Sequence, residues 1–187
     1  MEADYSIELG PDDATLEFPW TAPQPGPSFF DLRENPAAIA EIPEAAQWPE
    51  LAEFLLAING HSSPLLSAKC DAWFTTEIAP EDEIFGMGGK FGGYVDVVFV
   101  DEEKRFSFVH HEDMAKRVVA LLKQAPHIPC SVEFLVRRCY FSERDGFYIT
   151  AYCFGFGANE DAARGQWKIA LKLLENALRQ AAAVPKK

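Results

Sequence analysis

Hydrophobic and polar residues alternate along this chain with two periods, and each change of period marks an element. From Trp48-Pro49 onward, Leu51, Phe54, Leu55 and Ile58 recur at helical spacing, and Asn59-Gly60 supplies a stop. Proline is tolerated at such a start because the first-turn N–H groups have no intrahelical partner. Between Ser67 and Ile78 the period becomes two. Ala68, Cys70, Ala72, Phe74 and Ile78 face one way, and Lys69, Asp71, Trp73, Thr75 and Glu77 the other, as in a strand with one buried face. Tyr94–Asp101 and Lys104–His110 read as two further strands, joined as a hairpin at Asp101-Glu102-Glu103. A second helix is predicted from about His111 to Gln124, with Met114, Val118, Leu121, Leu122 and Ala125 as its apolar stripe. Glu112 and Asp113 complement its positive N-terminal end. Cys130–Phe141 and Gly146–Phe156 predict a second hairpin around Glu143-Arg144-Asp145-Gly146, where Asp-Gly is a turn signal. Asn159 is a good N-cap for a last helix that continues to about Ala183 and buries Ala163, Trp167, Ala170, Leu171, Leu174, Leu178 and Ala181.

Segregated hairpins and helices predict an α+β fold: a five-stranded antiparallel sheet with element order α-β-β-β-α-β-β-α and helices mainly on one face. Residues 1–45 stand apart. Pro11, Pro19, Pro23, Pro25, Pro27, Pro36 and Pro43 block regular elements, yet Phe18, Trp20, Phe29, Phe30 and Leu32 sit among them. Free tails are poor in aromatics. The segment therefore reads as an extended arm, with a short helical piece around Pro36–Ala40, packing on a single domain that spans residues 46–187.

Composition narrows the function classes. The 187 residues are 48% hydrophobic and 13% aromatic, enough for a proper core. A formal net charge of -12 repels a phosphate backbone, and the basic pairs Arg137-Arg138 and Lys186-Lys187 are too short to offset it, so no nucleic acid partner is expected. Met1-Glu2-Ala3-Asp4 lacks the apolar run of a secretory signal, and no stretch of eighteen apolar residues is available for a membrane span. Cys70, Cys130, Cys139 and Cys153 are widely spaced without a CxxC pair, which reads as reduced thiols in a cytoplasmic protein.

Candidate chemistry is thin. Phe85–Gly93 is glycine-rich and carries Lys90, but Lys90 is followed by Phe91 rather than Ser or Thr, and Phe91 occupies the third glycine slot of a dinucleotide fingerprint. The stretch reads as a mobile connection or a ligand-closing loop, not a phosphate cradle. His110-His111-Glu112-Asp113 places four potential ligands in a row, but adjacent residues diverge, so neither a metal nor a cofactor site is expected. Cys70 and Cys153 fall on inward faces. Cys139 falls on the other, near Arg137, which could lower its pKa. No catalytic residue is assigned and the balance leans away from an enzyme.

The anomaly is the second sheet face. If Val95, Val97, Phe99, Phe106, Phe108, Val132, Phe134, Phe147 and Ile149 meet the helices, the opposite parity carries Trp73, Tyr94, Val98, Val100, Leu135, Phe141, Tyr148, Tyr152 and Phe154. Lys69, Asp71, Asp96, Glu133 and Arg137 interleave with them. Such a face is covered by the arm or a second copy, walls a ligand cavity, or reflects a bulge that inverts the parity of one strand. Trp73, Tyr94, Tyr148, Tyr152 and Lys90 are the candidate partner or ligand surface.

The element order across residues 48–183, together with the acidity, resembles the bacterial type III secretion chaperones and their relatives. The proline-rich arm and the Ala79–Gly93 loop depart from that pattern, and the resemblance rests on no residue motif. It implies a small acidic homodimer that binds partner chains. The expectation is a non-enzymatic protein-binding, adaptor or chaperone-like module. The alternative is a small-molecule-binding protein or enzyme, with a pocket between the sheet and the Gly86–Gly93 loop.

Overall fold

A computed structural model describes residues 1–21, 28–142 and 144–183. Pro23, Pro25, Pro27, Glu143 and Lys186-Lys187 lie outside the described residues. Six strands build one mixed sheet: β1 (Glu2–Glu8), β2 (Thr15–Glu17), β3 (Leu65–Thr75), β4 (Gly89–Phe99), β5 (Cys130–Phe141) and β6 (Arg144–Gly157). The order is β1-β5-β6-β4-β3, with β2 also pairing β5. The pairs β3–β4, β4–β6 and β5–β6 are antiparallel, whereas β1 and β2 run parallel to β5. The chain is therefore α+β with a mostly antiparallel sheet, not the five-stranded, purely antiparallel sheet that the pattern predicts.

Two changes produce the difference. The first seventeen residues contribute two edge strands. Glu2–Glu8 alternates cleanly, with Ala3 and Tyr5 toward the helices and Glu2, Asp4 and Glu8 away from them. The predicted strand Lys104–His110 is helical instead: Glu102–Arg105 is a one-turn helix, α3, and Phe108–Leu122 is the longer α4. Asp101 caps α3 by accepting the Lys104 N–H at 3.2 Å. The Arg105 Nε then donates to the Phe99 carbonyl at 2.6 Å, closing the end of β4. The second hairpin also turns earlier than predicted, because Phe141 already pairs with Arg144 and Asp145 with Tyr140.

The remaining helices are α1 (Pro43–Gln47), α2 (Pro49–Asn59) and α5 (Glu160–Ala183), with 3-10 turns at Pro36–Glu41 and Pro80–Phe85. α2, α4 and α5 lie on one sheet face, where Leu51, Phe54, Val118, Leu122, Trp167 and Leu174 close over Val95, Val97, Val132, Phe134 and Ile149. α5 comes closest. A Cβ built on Gly155 would stand 2.1 Å from the Trp167 backbone nitrogen, so only glycine lets the helix lie so low on β6. Trp167 itself is fully buried, its ring 4.8 Å from that of Phe91.

A smaller second core forms on the opposite face. Leu16 and Phe18 from the N-terminal segment bury Leu66, Ala68, Val98, Cys139 and Tyr148, with Trp20, Phe29 and Phe141 at the margin. The Trp20 indole N–H donates to the Ala68 carbonyl at 2.7 Å, at the bulge where β3 shifts register between Ser67 and Lys69. That bond occupies part of an otherwise free sheet edge.

Candidate functional site

The second face is left uncovered between two lids. The N-terminal segment closes one end. At the other, the Pro80–Phe85 turn folds onto the sheet, with Phe85 stacked 4.1 Å from Phe156 and Asp82 paired to Lys90 at 2.5 Å. Between the lids Trp73, Phe154, Tyr152 and Tyr94 form a ribbon of half-buried rings. Their centroids are 6.4 Å apart for Trp73–Phe154, 6.0 Å for Phe154–Tyr152 and 5.7 Å for Tyr152–Tyr94.

Register explains the ribbon. Tyr94 pairs directly with Tyr152 across β4 and β6, and Gly92 stands between Trp73 on β3 and Phe154 on β6. Phe154 lies flat over Gly92, where a Cβ would be 2.1 Å from its ring. The glycines of this stretch therefore let rings cross the sheet. They do not form a loop over a pocket, since Gly89–Gly93 are strand residues of β4. The expected pocket beneath a Gly86–Gly93 loop accordingly loses its lid.

A polar row crosses the same face. Glu8 on β1 accepts from the Arg137 Nε at 2.7 Å, Arg137 reaches the Thr150 hydroxyl at 3.2 Å, and that hydroxyl donates to Asp96 at 2.6 Å. Lys69 faces Asp96 from β3. Asp96 is only 6% exposed and forms no ion pair among the described residues. Burial pushes its carboxyl up to about 6, against the opposing pull of the Thr150 hydrogen bond, Lys69 and Arg137. Burial also raises the Glu133 carboxyl, and the neighbouring Glu8, Asp4 and Glu81 raise it further.

The five predicted surface residues separate into three environments. Trp73, Tyr94 and Tyr152 share the open ribbon. Lys90 lies at its end, its ammonium 3.9 Å over the Phe154 ring and bound to Asp82. Tyr148 is 3% exposed and belongs to the second core beneath Leu16 and Phe18. Sequence reasoning did not single out Thr150 or Glu8. The alternation of acids in Glu2–Glu8 was the available signal for Glu8.

Cys139 is 1% exposed, and burial pushes its thiol up to about 12 rather than down, so proximity to Arg137 in sequence confers no reactivity. His111 is wedged between Phe99 and Phe147, away from the open face, and burial lowers its pKa to about 4. No group of three or more potential ligands gathers among the described residues. A cleft of about 250 Å³ opens at the β3 edge, where Trp20, Phe30, Ile42 and Leu55 meet Lys69, Asp71 and Tyr94. No helix among the described residues is long and apolar enough to cross a membrane. In comparison with known proteins, no family model, curated protein or solved structure matches the chain.

Proposed function

We propose that this chain is a protein-binding module that holds a partner on the open part of its second sheet face. The observation that carries the reading is the ribbon Trp73–Phe154–Tyr152–Tyr94: four touching rings, half-buried, on the side the helices leave bare. Aromatic rings with polar surroundings are the usual composition of an interface centre. Ile84, 72% exposed on the adjoining 3-10 turn, adds apolar surface beside it. A chaperone-like or adaptor role is the functional form of this reading. Photo-crosslinking tests it: a photoreactive phenylalanine analogue at position 73 or 152 should yield one discrete adduct in cells, of a partner or a second copy. The same analogue at the exposed Val109 on α4 should yield none. Equal capture at all three positions would defeat the proposal.

One observation favours a second reading, that of a small-molecule site. Asp96 is a buried carboxyl poised near 6 whose charge is felt by Tyr94 and Tyr148, and perturbed acids of this kind concentrate at ligand and catalytic sites. The cleft at the β3 edge reaches the same Tyr94. A thermal-shift screen of small ligands, repeated on Asp96→Asn, checks it: hits that vanish in the variant support this reading, and an absence of hits counts against it.

A further inference from the structure

We infer that the occupant of this face is a cationic segment of a partner protein, whose lysine or arginine side chain lies on the Tyr94–Tyr152 rings between Asp96 and Glu133. The inference rests on the reading of this face as a protein-binding surface and names the chemistry of the partner. Its basis is an arrangement the molecule already uses twice for its own cations. Lys90 stands 3.9 Å over Phe154 with Asp82 at its side, and Arg164 stands 4.9 Å over Trp48 with Glu50 at 2.8 Å. In each case a positive group sits on a ring face and a carboxylate completes its coordination. The Tyr94–Tyr152 pair repeats the layout one step along the ribbon. Asp96 is two residues from Tyr94 on the same face of β4, and Glu133 pairs with Tyr152 across β5 and β6. Here the ring faces carry no cation: among the described residues, none lies over Tyr94, Tyr152 or Trp73, and Arg137, which hydrogen-bonds Tyr152 at its hydroxyl, is held by Glu8.

Charge separates this occupant from the other candidates. The cations of the face are engaged, Lys90 by Asp82, Arg137 by Glu8, and Lys69 over the Trp20 ring. Asp4, Asp71, Glu81 and Glu133 are exposed and unpaired in the ion pairs of the described residues. Their mutual repulsion is felt at Glu133, whose carboxyl is raised partly by Asp4 and Glu81. A second copy docking by two-fold symmetry would bring this acidic rim against itself. A phosphate-bearing ligand meets the same repulsion, in a chain of net charge -12. A lysine- or arginine-bearing segment with apolar neighbours satisfies both the rings and the rim.

Isothermal titration of the full chain with three short synthetic peptides tests the inference: alternating lysine and leucine, alternating glutamate and leucine, and alternating lysine and serine. The lysine–leucine peptide should bind, and Tyr152→Ser and the exposed charge reversal Glu133→Lys should each weaken it about tenfold or more. Raising the salt concentration should weaken it further. Equal binding of the glutamate peptide, abolished by Tyr152→Ser, would overturn the cationic partner while leaving the protein-binding face intact. If no peptide binds and light scattering shows a dimer that Tyr152→Ser dissociates, the occupant is a second copy and the cationic inference falls. If no peptide binds and the chain is a monomer, both fall. Binding of the lysine–leucine peptide that neither substitution alters would place its site elsewhere and overturn the inference.

Discussion

Between pH 4 and 7, Asp96 and His111 are two buried groups whose charge state separates the folded from the unfolded chain, and they act in opposite directions. Asp96 releases its proton near 6 when folded against an ordinary 3.8, so the folded state holds the proton more tightly. Its stability contribution therefore improves as pH falls from about 6 to about 4, and above 6 the buried charge costs up to about 3 kcal/mol. His111 is held neutral down to about 4 against an ordinary 6.5. Its contribution is complete above pH 6.5 and is lost as pH falls toward 4. Asp96→Asn keeps an acceptor for the Thr150 hydroxyl and removes the charge. It should raise stability at pH 7 by about 1 kcal/mol or more, and that advantage should shrink toward pH 4 as the parent's carboxyl takes up its proton. Urea denaturation at the two pH values measures both. A variant less stable than the parent at pH 7 would mean that Lys69 and Arg137 already compensate the carboxylate. Single residues also account for one misreading. Asp145-Gly146 carries a hairpin signal, but Gly146 is a glycine for another reason: a Cβ there would come within 2.8 Å of the Arg105 carbonyl oxygen, where α3 crosses the strand.

Elements were legible where one period ran unbroken. Leu51 to Ile58 reads as α2 and Ala163 to Ala181 as the buried stripe of α5, and each has its counterpart in the structure. Ser67 to Thr75 reads as most of β3, but the bulge between Ser67 and Lys69 turns Ala68 into the second core, while Cys70, Ala72 and Phe74 pack on the main one. Phe106 and Phe108 failed the same logic. Their two-residue spacing imitates a strand, but Phe106, at the end of α3, packs on Phe141, and Phe108, at the start of α4, packs on Phe147. Tertiary contacts with distant strands decided the conformation there, and local alternation could not show them. The ribbon was legible as strand parity, because β4 and β6 keep their alternation, whereas the lids over its ends required knowing where Phe18 and Phe85 land. The low seat of α5 on the sheet gives a direct test. Gly155→Ala should lift the helix and cost several kcal/mol, and Trp167→Ala should cost about 3–5 kcal/mol by leaving a large cavity. Chemical denaturation measures each. A loss below about 1 kcal/mol for Trp167→Ala would mean that this stripe is not the core face.

At the scale of the whole molecule, the N-terminal segment is built into both the sheet and the second core. Removing residues 1–20 would bare the β5 edge along Ser131–Tyr140 and uncover Leu66, Val98 and Tyr148. The truncated chain should melt at a lower temperature and aggregate, as light scattering would show. A truncated chain with unchanged mass per particle and melting temperature would mean that neither strand nor cover contributes to cohesion. The parallel pairing of β1 with β5 also bears on assembly in time. Glu2 meets Ser131 and Glu8 meets Arg137, so β1 has no partner until the ribosome has passed the middle of β5. Until then Phe18, Trp20 and Phe29 have only the β3 and β4 part of their surface, Leu66, Ala68 and Val98, and lack Cys139 and Tyr148. Closure across so long a separation in sequence is slow compared with the formation of local helices and hairpins. Docking of β1 and β2 is thus expected among the last events of folding, and the nascent chain presents its aromatic N-terminal stretch to whatever surveys it in the interval.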